Sequence, residues 1–320
     1  MFLHICYTVI MIRTVPYDDK FDRELELLDR DTFLELKYHG DVIKKYVTAA
    51  VCLKDHKERL TGVGYLLAPK GFRLTDNSNG LFFIHGIFRA FGEDEAEASI
   101  LLLDSLREHF LAHVSDHPKK KLCLRLWCRT TDNAYMELLT DMGFIPCDMM
   151  YVMKKDLSGS KGMALTSIFK KASENGLKLV ITRPDPCEEF LREYCIANEE
   201  AFRQPCSLDD LRFKLSFCEG SVYSAFLGER LVSCVTAWRV SDGLSATENI
   251  FCLPEKQNLG ITRALLGYVL NILKKAGMTQ AVLTVCKSEV PALRLYTSFG
   301  YKITHTLYEM RFGDDVSYLT

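Results

Sequence analysis

The sequence predicts an α/β fold made of two similar domains, each a mixed, mostly antiparallel twisted sheet flanked by helices. Three observations predict it. The chain has 320 residues, about twice the length of a typical domain. The order hairpin, strand, helix, strand, helix, strand occurs twice along it. Each copy ends on a similar phrase, LLTDMGF at 138–144 and LYTSFGY at 295–301, which indicates an internal repeat.

The first copy is predicted over residues 1–157. Its elements are a hairpin at 47–53 and 60–68, a strand at 81–88, a helix at 95–113, a strand at 122–128, a helix at 133–142 and a strand at 149–153. The apolar first ten residues form an edge strand or precede the true start at Met11. A small-residue segment at 158–162 marks the predicted domain boundary.

The second copy is predicted over residues 158–320. Its elements are a strand at 177–182, a hairpin at 221–227 and 231–240, a strand at 246–253, a helix at 261–275, a strand at 280–286, a helix at 289–299 and a strand at 303–310. Pro254 stops the fourth of these strands, and Gly277 is suited to end the long helix in a left-handed conformation.

The composition excludes several classes of function. With 40 Lys and Arg against 42 Asp and Glu, the net charge of -2 gives no overall attraction to nucleic acids or to anionic lipid. The 12 cysteines are scattered without metal-site spacing, which is typical of a reducing compartment. No signal peptide is evident, so we predict a cytoplasmic protein with no membrane partner. His109, His113 and His117 share a helical spacing, but Pro118 follows at once, and we expect no metal.

One strand-loop-helix segment, FCLPEKQNLGIT at 251–262, carries the chemical signal. A loop that enters a helix presents unpaired N–H groups at the positive end of the helix dipole, which suits a pyrophosphate. Gly260 allows a ligand to approach the backbone closely. The segment taken alone is equally compatible with an ordinary strand-to-helix connection. A second phrase, ALRLYTSFGY at 292–301, follows one strand and one helix later.

Together the two segments resemble the GNAT superfamily of acyl-CoA N-acyltransferases over about residues 177–310. The family's motif A reads V-x-P-x-x-R/Q-x-x-G-x-G/A, and the chain matches it at Pro254, Gln257 and Gly260, with Cys252 and Thr262 as departures. Motif B reads N-x-x-A-x-x-L-Y-x-x-x-G-F/Y. The chain matches it at Ala292, Leu295, Tyr296, Gly300 and Tyr301, with Glu289 in place of Asn.

The resemblance implies direct transfer of an acyl group, in the first instance acetyl from acetyl-CoA, to an amine. The implied cofactor-binding residues are Phe251, Cys252, Leu253, Gln257, Asn258, Leu259, Gly260, Ile261, Thr262 and Glu289. Amides of Phe251 and Leu253 would hold the pantetheine arm, and those of 257–262 the pyrophosphate. Tyr296 would protonate the leaving thiolate, and Glu248 is the candidate base. The plainer alternatives are a packed aromatic ring and a solvated carboxylate.

The first copy lacks the corresponding chemistry. Glu93, Asp94 and Glu95 stand where motif A would bind phosphates, and Leu139 stands in the position of Tyr296. We therefore expect a degenerate, non-catalytic first domain. The acceptor is a small-molecule or peptide amine. An acidic rim at 188–210 would favour a cationic one, but we expect most of these carboxylates on the solvated face of amphipathic helices. A non-catalytic CoA-binding or interaction protein is the main alternative, while a Rossmann domain is disfavoured because no G-x-G-x-x-G follows a strand. Oligomeric state and acyl length stay open.

Overall fold

The computed structural model describes residues 13–29, 47–67, 81–92, 95–129, 133–159, 177–182, 187–202 and 220–313, with isolated positions between 206 and 215. The predicted edge strand at 1–10 and most of the segment 158–162 lie outside these residues. The chain forms two compact units. Unit 1 comprises the described residues within 1–127, 137–147 and 310–320, and unit 2 those within 128–136 and 148–309.

Unit 1 contains a mixed sheet. Its strands, in sheet order, are β1 (Arg13–Pro16), β2 (Val47–Lys54), β3 (Leu60–Leu67), β4 (Leu81–Ala90) and β5 (Lys121–Arg129). The pairs are antiparallel except β4–β5, which is parallel. Helix α1 is Asp22–Leu28, and α2 (Glu95–Asp116) makes the crossover from β4 to β5. Helix α2 packs on β2, β3 and β4 through fully buried side chains that include Leu102, Leu106 and Phe110.

Helix α3 (Asn133–Asp141) connects β5 to β6. Unit 2 is built mainly on seven further strands, β6 (Ile145–Asp156), β7 (Leu177–Thr182), β8 (Ser221–Leu227), β9 (Arg230–Ser241), β10 (Leu244–Cys252), β11 (Gln280–Cys286) and β12 (Lys302–Gly313). Their order is β12-β6-β11-β10-β9-β8-β7, and β10–β11 is a parallel pair between antiparallel ones. The helices are α4 (Glu188–Phe202), α5 (Ile261–Lys275) and α6 (Val290–Ser298).

Helix α5 makes the crossover from β10 to β11 and lies on β8, β9 and β10. Its predicted apolar face is buried, as Ile261, Leu265 and Val269 illustrate, because these positions recur at helical spacing. Gly277 ends the helix with a φ of +87°, a left-handed conformation that favours glycine. Helix α4 covers β9 and β10. The predicted fold class is confirmed in both units.

The repeat is visible in the backbone where each helix of the closing phrase ends. Gly143 and Gly300 have φ values of +87° and +84°. The N–H of Phe144 donates to the Leu139 carbonyl at 2.9 Å, and the N–H of Tyr301 donates to the Tyr296 carbonyl at 3.2 Å. Both helices thus close with the same glycine cap.

Strand β6 extends four residues before and three beyond the predicted 149–153. Although it is encoded in the first half of the sequence, its residues 150–156 pair antiparallel with β11 inside unit 2. Residues 310–313 of β12, from the second half, belong to unit 1. Each compact unit therefore takes a segment from the other half of the chain, and a single boundary near 158 stays a prediction. No helix among the described residues is long and apolar enough to cross a membrane.

Candidate active site

Strands β10 and β11 diverge in the middle of β10. Their parallel register runs only from Leu244 opposite Gln280 to Ala246 opposite Val282. At the next residue, the Thr247 hydroxyl lies 3.4 Å from the Val282 carbonyl and 3.1 Å from the Tyr301 hydroxyl. Strand β10 continues to Cys252. Within the described residues, its last six positions have no strand partner on the β11 side, which leaves backbone groups open to a ligand.

A β-bulge bends the open end of β10. Glu248 lies opposite Thr236 and Phe251 opposite Cys234, so that one extra residue is inserted relative to β9. Asn249 within the bulge has a φ of +46°, a conformation that asparagine tolerates better than most residues. Bulges re-aim side chains and strengthen local twist. Glu248, half-buried, is thereby held at the divergence of the two strands, on the same face of the sheet as Thr236.

The amides that face the open edge of β10 differ from those that the sequence predicted. The N–H of Leu253 donates to the Val232 carbonyl at 2.9 Å, so it is already bonded within the sheet. Because peptide directions alternate along a strand, Phe251 also faces β9, and the peptide groups of Ile250 and Cys252 face the open side. The side chains of Phe251 and Leu253 are buried in the core. This result corrects the expectation that these two residues offer their amides to pantetheine.

Next to this edge, the first turn of α5 presents unpaired amides. Its first internal hydrogen bond runs from the Ala264 N–H to the Gly260 carbonyl at 3.0 Å, so the amides of Ile261, Thr262 and Arg263 have no acceptor within the helix. Gly260 has a φ of +76°, and a Cβ added there would meet no atom within 4 Å. This arrangement has the geometry of the helix N-termini at which anions bind.

In the loop that leads into α5, some backbone amides are hydrogen-bonded within the loop and others are open to a ligand. The Gln257 N–H donates to the Pro254 carbonyl at 3.3 Å, which removes it from the expected set of phosphate donors. Asn258 follows with a φ of +63°, and Leu259 is 66% exposed. The available backbone donors thus begin at Asn258.

Thr262, where the family motif has a small residue, turns its hydroxyl toward the sheet. Thr262 Oγ1 lies 3.3 Å from Ser233 Oγ, and Ser233 donates to the Phe251 carbonyl at 2.6 Å. The half-buried Cys252 thiol donates to the Lys256 carbonyl at 3.4 Å. Burial raises the pKa of that thiol, and the nearby Thr262 hydroxyl partly opposes the increase.

Tyr296 lies in the core of unit 2, on α6, with 6% of its surface exposed. Its ring packs edge-on against Tyr301 at a centroid distance of 6.0 Å, and Tyr301 in turn contacts Thr247 at the divergence. Burial, and to a lesser extent the charge of the exposed Glu289, raise the pKa of Tyr296 well above its ordinary value. The phenol therefore keeps its proton at neutral pH.

In the described part of the acidic segment 188–210, several carboxylates are paired within the protein. Glu188 pairs with Arg212, and Glu200 pairs with Arg230. Other carboxylates accept backbone hydrogen bonds, as Glu193 does from the Leu231 N–H at 3.0 Å. These contacts weaken the expectation of a free acidic rim for a cationic acceptor.

In unit 1, Leu139 is fully buried, as its apolar side chain requires. Glu93 and Asp94 lie outside the described residues, while Glu95 is in the first turn of α2. The His117 ring donates from Nδ1 to the His113 carbonyl at 2.9 Å, which caps α2. Within the described part of the chain, no group of His, Cys, Asp and Glu side chains is arranged to hold a metal.

Sequence reasoning missed Ser233, Thr247 and Ile250. Ser233 lies 29 residues before the Thr262 it contacts, and no local motif links the two. Counting back from Leu253, whose amide bonds to β9, alternating peptide directions would have identified Ile250. That step requires the β9–β10 register, which the sequence does not give.

Comparison with known proteins agrees with this geometry. Residues 187–301 match the model of the Acetyltransferase (GNAT) family. No match was found among curated proteins. A GCN5-related N-acetyltransferase from Sphaerobacter thermophilus superposes with a TM-score of 0.64 at 15% identity, covering 96% of this chain and 98% of that one. A tandem GNAT protein from the clavulanic acid biosynthesis pathway gives a TM-score of 0.65 at 12% identity, covering 94% and 98%.

A third similar structure is a GCN5-related glucosamine N-acetyltransferase region of a fungal multi-domain protein, with a TM-score of 0.63 at 14% identity. It covers 95% of this chain and 38% of that longer one. At these sequence identities the superpositions show the fold alone. The match to the family model covers residues 187–301, which include the diverging strands β10 and β11. The chain therefore has a GNAT fold, and its residues 187–301 match the GNAT acetyltransferase family, whose members use acyl-CoA co-substrates.

Proposed function

We propose that unit 2 transfers an acyl group, in the first instance acetyl, from acyl-CoA to an amine acceptor by direct attack. The observation that carries the proposal is the pairing of two features. Strand β10 leaves β11 after Ala246, and the first turn of α5, beside the freed edge, has three amides without helical acceptors. An elongated molecule with an amide-bearing arm at one end and phosphates at the other suits both.

In this proposal, the pantetheine arm lies along the open edge of β10 and exchanges hydrogen bonds with the peptide group of Ile250 and the N–H of Cys252. The Cys252 carbonyl already accepts a hydrogen bond from Gln257 Nε2 at 3.4 Å. The pyrophosphate takes the amides from Asn258 to Thr262, where the helix dipole favours negative charge. Gly260 leaves room for this approach. Glu289, exposed at the start of α6, stands where the family has Asn, and we assign it the rim of the same site.

The proposed chemistry uses one base and one acid. Glu248 accepts a proton from the ammonium form of the acceptor, directly or through water, and the free amine attacks the thioester carbonyl. Collapse of the tetrahedral adduct expels the thiolate, which takes a proton from Tyr296. The phenolate recovers a proton from the newly substituted nitrogen. The balance is an ammonium and a thioester giving an amide, a thiol and one released proton.

We assign no catalysis to unit 1, because it has Leu139 at the position of Tyr296 and glutamates in the first turn of α2. A cytoplasmic location also stays part of the proposal. It is supported by the ten cysteines in the described part of the chain, which are not joined in disulfides.

The test measures release of free CoA thiol from acetyl-CoA with a panel of small and peptide amines, alongside acetyl-CoA binding by calorimetry. The native protein is expected to bind acetyl-CoA and to release thiol with at least one amine. The Tyr296→Phe variant should bind equally well and turn over far more slowly. Binding with no turnover on any amine would favour a non-catalytic CoA-binding protein, and absence of binding would remove the proposal.

A further inference from the structure

A buried serine on β9 holds the end of β10. Ser233 is fully buried, and its hydroxyl donates to the Phe251 carbonyl at 2.6 Å. This is a short hydrogen bond to the strand segment that follows the bulge. The single hydroxyl proton of Ser233 is thereby committed, and only its lone pairs are available to another group.

The second hydroxyl belongs to the first turn of α5. Thr262 Oγ1 is 3.3 Å from Ser233 Oγ. Since the Ser233 proton is used on Phe251, Thr262 must be the donor in this contact. Ser233 lies on β9, so this contact joins the sheet to the first turn of α5. The hydroxyl is a tether between the sheet and the helix turn whose amides are unpaired.

This tether explains why a threonine is tolerated where the family motif has a small residue. A hydroxyl directed at the phosphates would compete with them for space, whereas this one faces the sheet. Backbone donors bind an anion best when they are already fixed before the ligand arrives. A hydrogen bond from the second helical residue to a buried serine restrains the turn that carries those donors.

Resting on the proposed function, we infer that Ser233 and Thr262 form a positioning pair, which fixes the first turn of α5 against β9 and β10 so that its amides are preset for the pyrophosphate of acyl-CoA. Neither side chain touches the reacting atoms. Their effect should fall on acyl-CoA binding and leave the chemical step unchanged.

The test compares four variants of the full chain. Thr262→Val removes the hydroxyl at constant shape, Thr262→Ser keeps it, Ser233→Ala removes its acceptor, and Thr262→Val with Ser233→Ala removes both. Thr304→Val is the matched control. Thr304 lies on β12, and the substitution deletes a hydroxyl that donates to the Val152 carbonyl at 3.1 Å. The readouts are KM and kcat with acetyl-CoA, the Kd by calorimetry, and amide hydrogen exchange without ligand.

Thr262→Val and Ser233→Ala should each raise KM and Kd for acetyl-CoA about three- to tenfold, as expected for one lost hydrogen bond, with kcat within about twofold. The double variant should be no worse than the poorer single one, because the two residues act as a unit. Thr262→Ser should recover most of the affinity that Thr262→Val loses, and Thr304→Val should behave like the native protein. Additive losses, or a Thr262→Ser variant as impaired as Thr262→Val, would overturn the inference.

The exchange measurement separates this inference from the proposed function. The Ala264 amide, bonded to the Gly260 carbonyl, reports on the first turn of α5 without any ligand. It should exchange several-fold faster in Thr262→Val and Ser233→Ala, but not in Thr304→Val. If the native protein bound no acetyl-CoA, the proposed function would fail while exchange still decided whether the tether exists. Unchanged exchange in both variants would disprove the tether.

Discussion

The two units share a strand divergence, but they fill it differently. In unit 1 the parallel register of β4 and β5 ends at His85 opposite Arg125. The next residue is Gly86, where an added Cβ would lie 2.5 Å from Leu126 Cδ2. In unit 2 the corresponding first unpaired residue is Thr247, whose neighbour is the Tyr301 hydroxyl. Hydrocarbon packs tightly at one divergence, whereas hydroxyl groups line the other.

The two units also differ in strand register and in the charge at the start of one helix. Strand β4 keeps an unbroken register with β3 from Ala90 to His85, while β10 has its bulge between Glu248 and Phe251. The first turn of α2 carries glutamates, and that of α5 has no acidic residue. Helix packing and glycine caps are kept in both units. The fold thus depends on apolar positions that both copies retain, and the proposed chemistry depends on a few polar positions that only unit 2 has.

We expect the largest effect from removing the phenolic hydroxyl of Tyr296, because the equivalent residue of unit 1, Leu139, has no such group. Tyr296→Phe removes the phenolic proton and keeps the ring that packs on Tyr301. We expect kcat to fall about a hundredfold, within the range for loss of a general acid, with little change in acetyl-CoA binding. Steady-state kinetics and calorimetry check this.

The matched control for that variant is in unit 1. Leu139→Met replaces the buried residue at the equivalent position with one of similar volume, and it should leave kcat unchanged. An equal loss of activity in Leu139→Met would contradict the assignment of catalysis to unit 2 alone.

A smaller effect is expected from placing a carboxylate beside the helix start, as unit 1 has. Asn258→Asp introduces a charge at an exposed position of the loop before α5 and should raise KM for acetyl-CoA about five- to tenfold through repulsion of the phosphates. The increase should shrink at high salt. Asn258→Gly, which also tolerates the φ of +63°, is the uncharged control and should stay close to native. Equal effects of the two variants would point to backbone geometry in place of charge.

The bulge offers a third comparison, with the straight β4 as reference. Asn249→Val puts a β-branched residue at a φ of +46° and should lower the free energy of unfolding by about 1–2 kcal/mol, with a few-fold loss of kcat because Glu248 is displaced. Urea denaturation and kinetics measure the two effects. Asn249→Gly should keep activity, since glycine accepts this conformation. If Asn249→Val kept full activity, the bulge would not be needed for catalysis.

Much of the fold was predictable because its signals are local. The apolar face of α5, the Gly277 cap and the closing phrases all act within a few residues, and the structure confirms them. The exchange of β6 into unit 2 was not predictable, because periodicity does not name a strand's partner. For the same reason the sequence pointed to the amides of Phe251 and Leu253, although only the β9 register shows which peptide groups face outward. Whether the remaining site residues bind acyl-CoA stays a prediction.

The smallest effect concerns pH and again contrasts Tyr296 with Leu139, which has no proton to lose. Burial raises the pKa of Tyr296, which moves loss of its proton above the ordinary value of about 10 for tyrosine. The acid therefore stays in its active, protonated form across the neutral and mildly alkaline range, and kcat should show no alkaline decline below about pH 10. A pH profile of kcat at saturating acetyl-CoA and amine checks this. A decline with a midpoint between about pH 8 and 9 would indicate that another group, such as a thiol, supplies the proton.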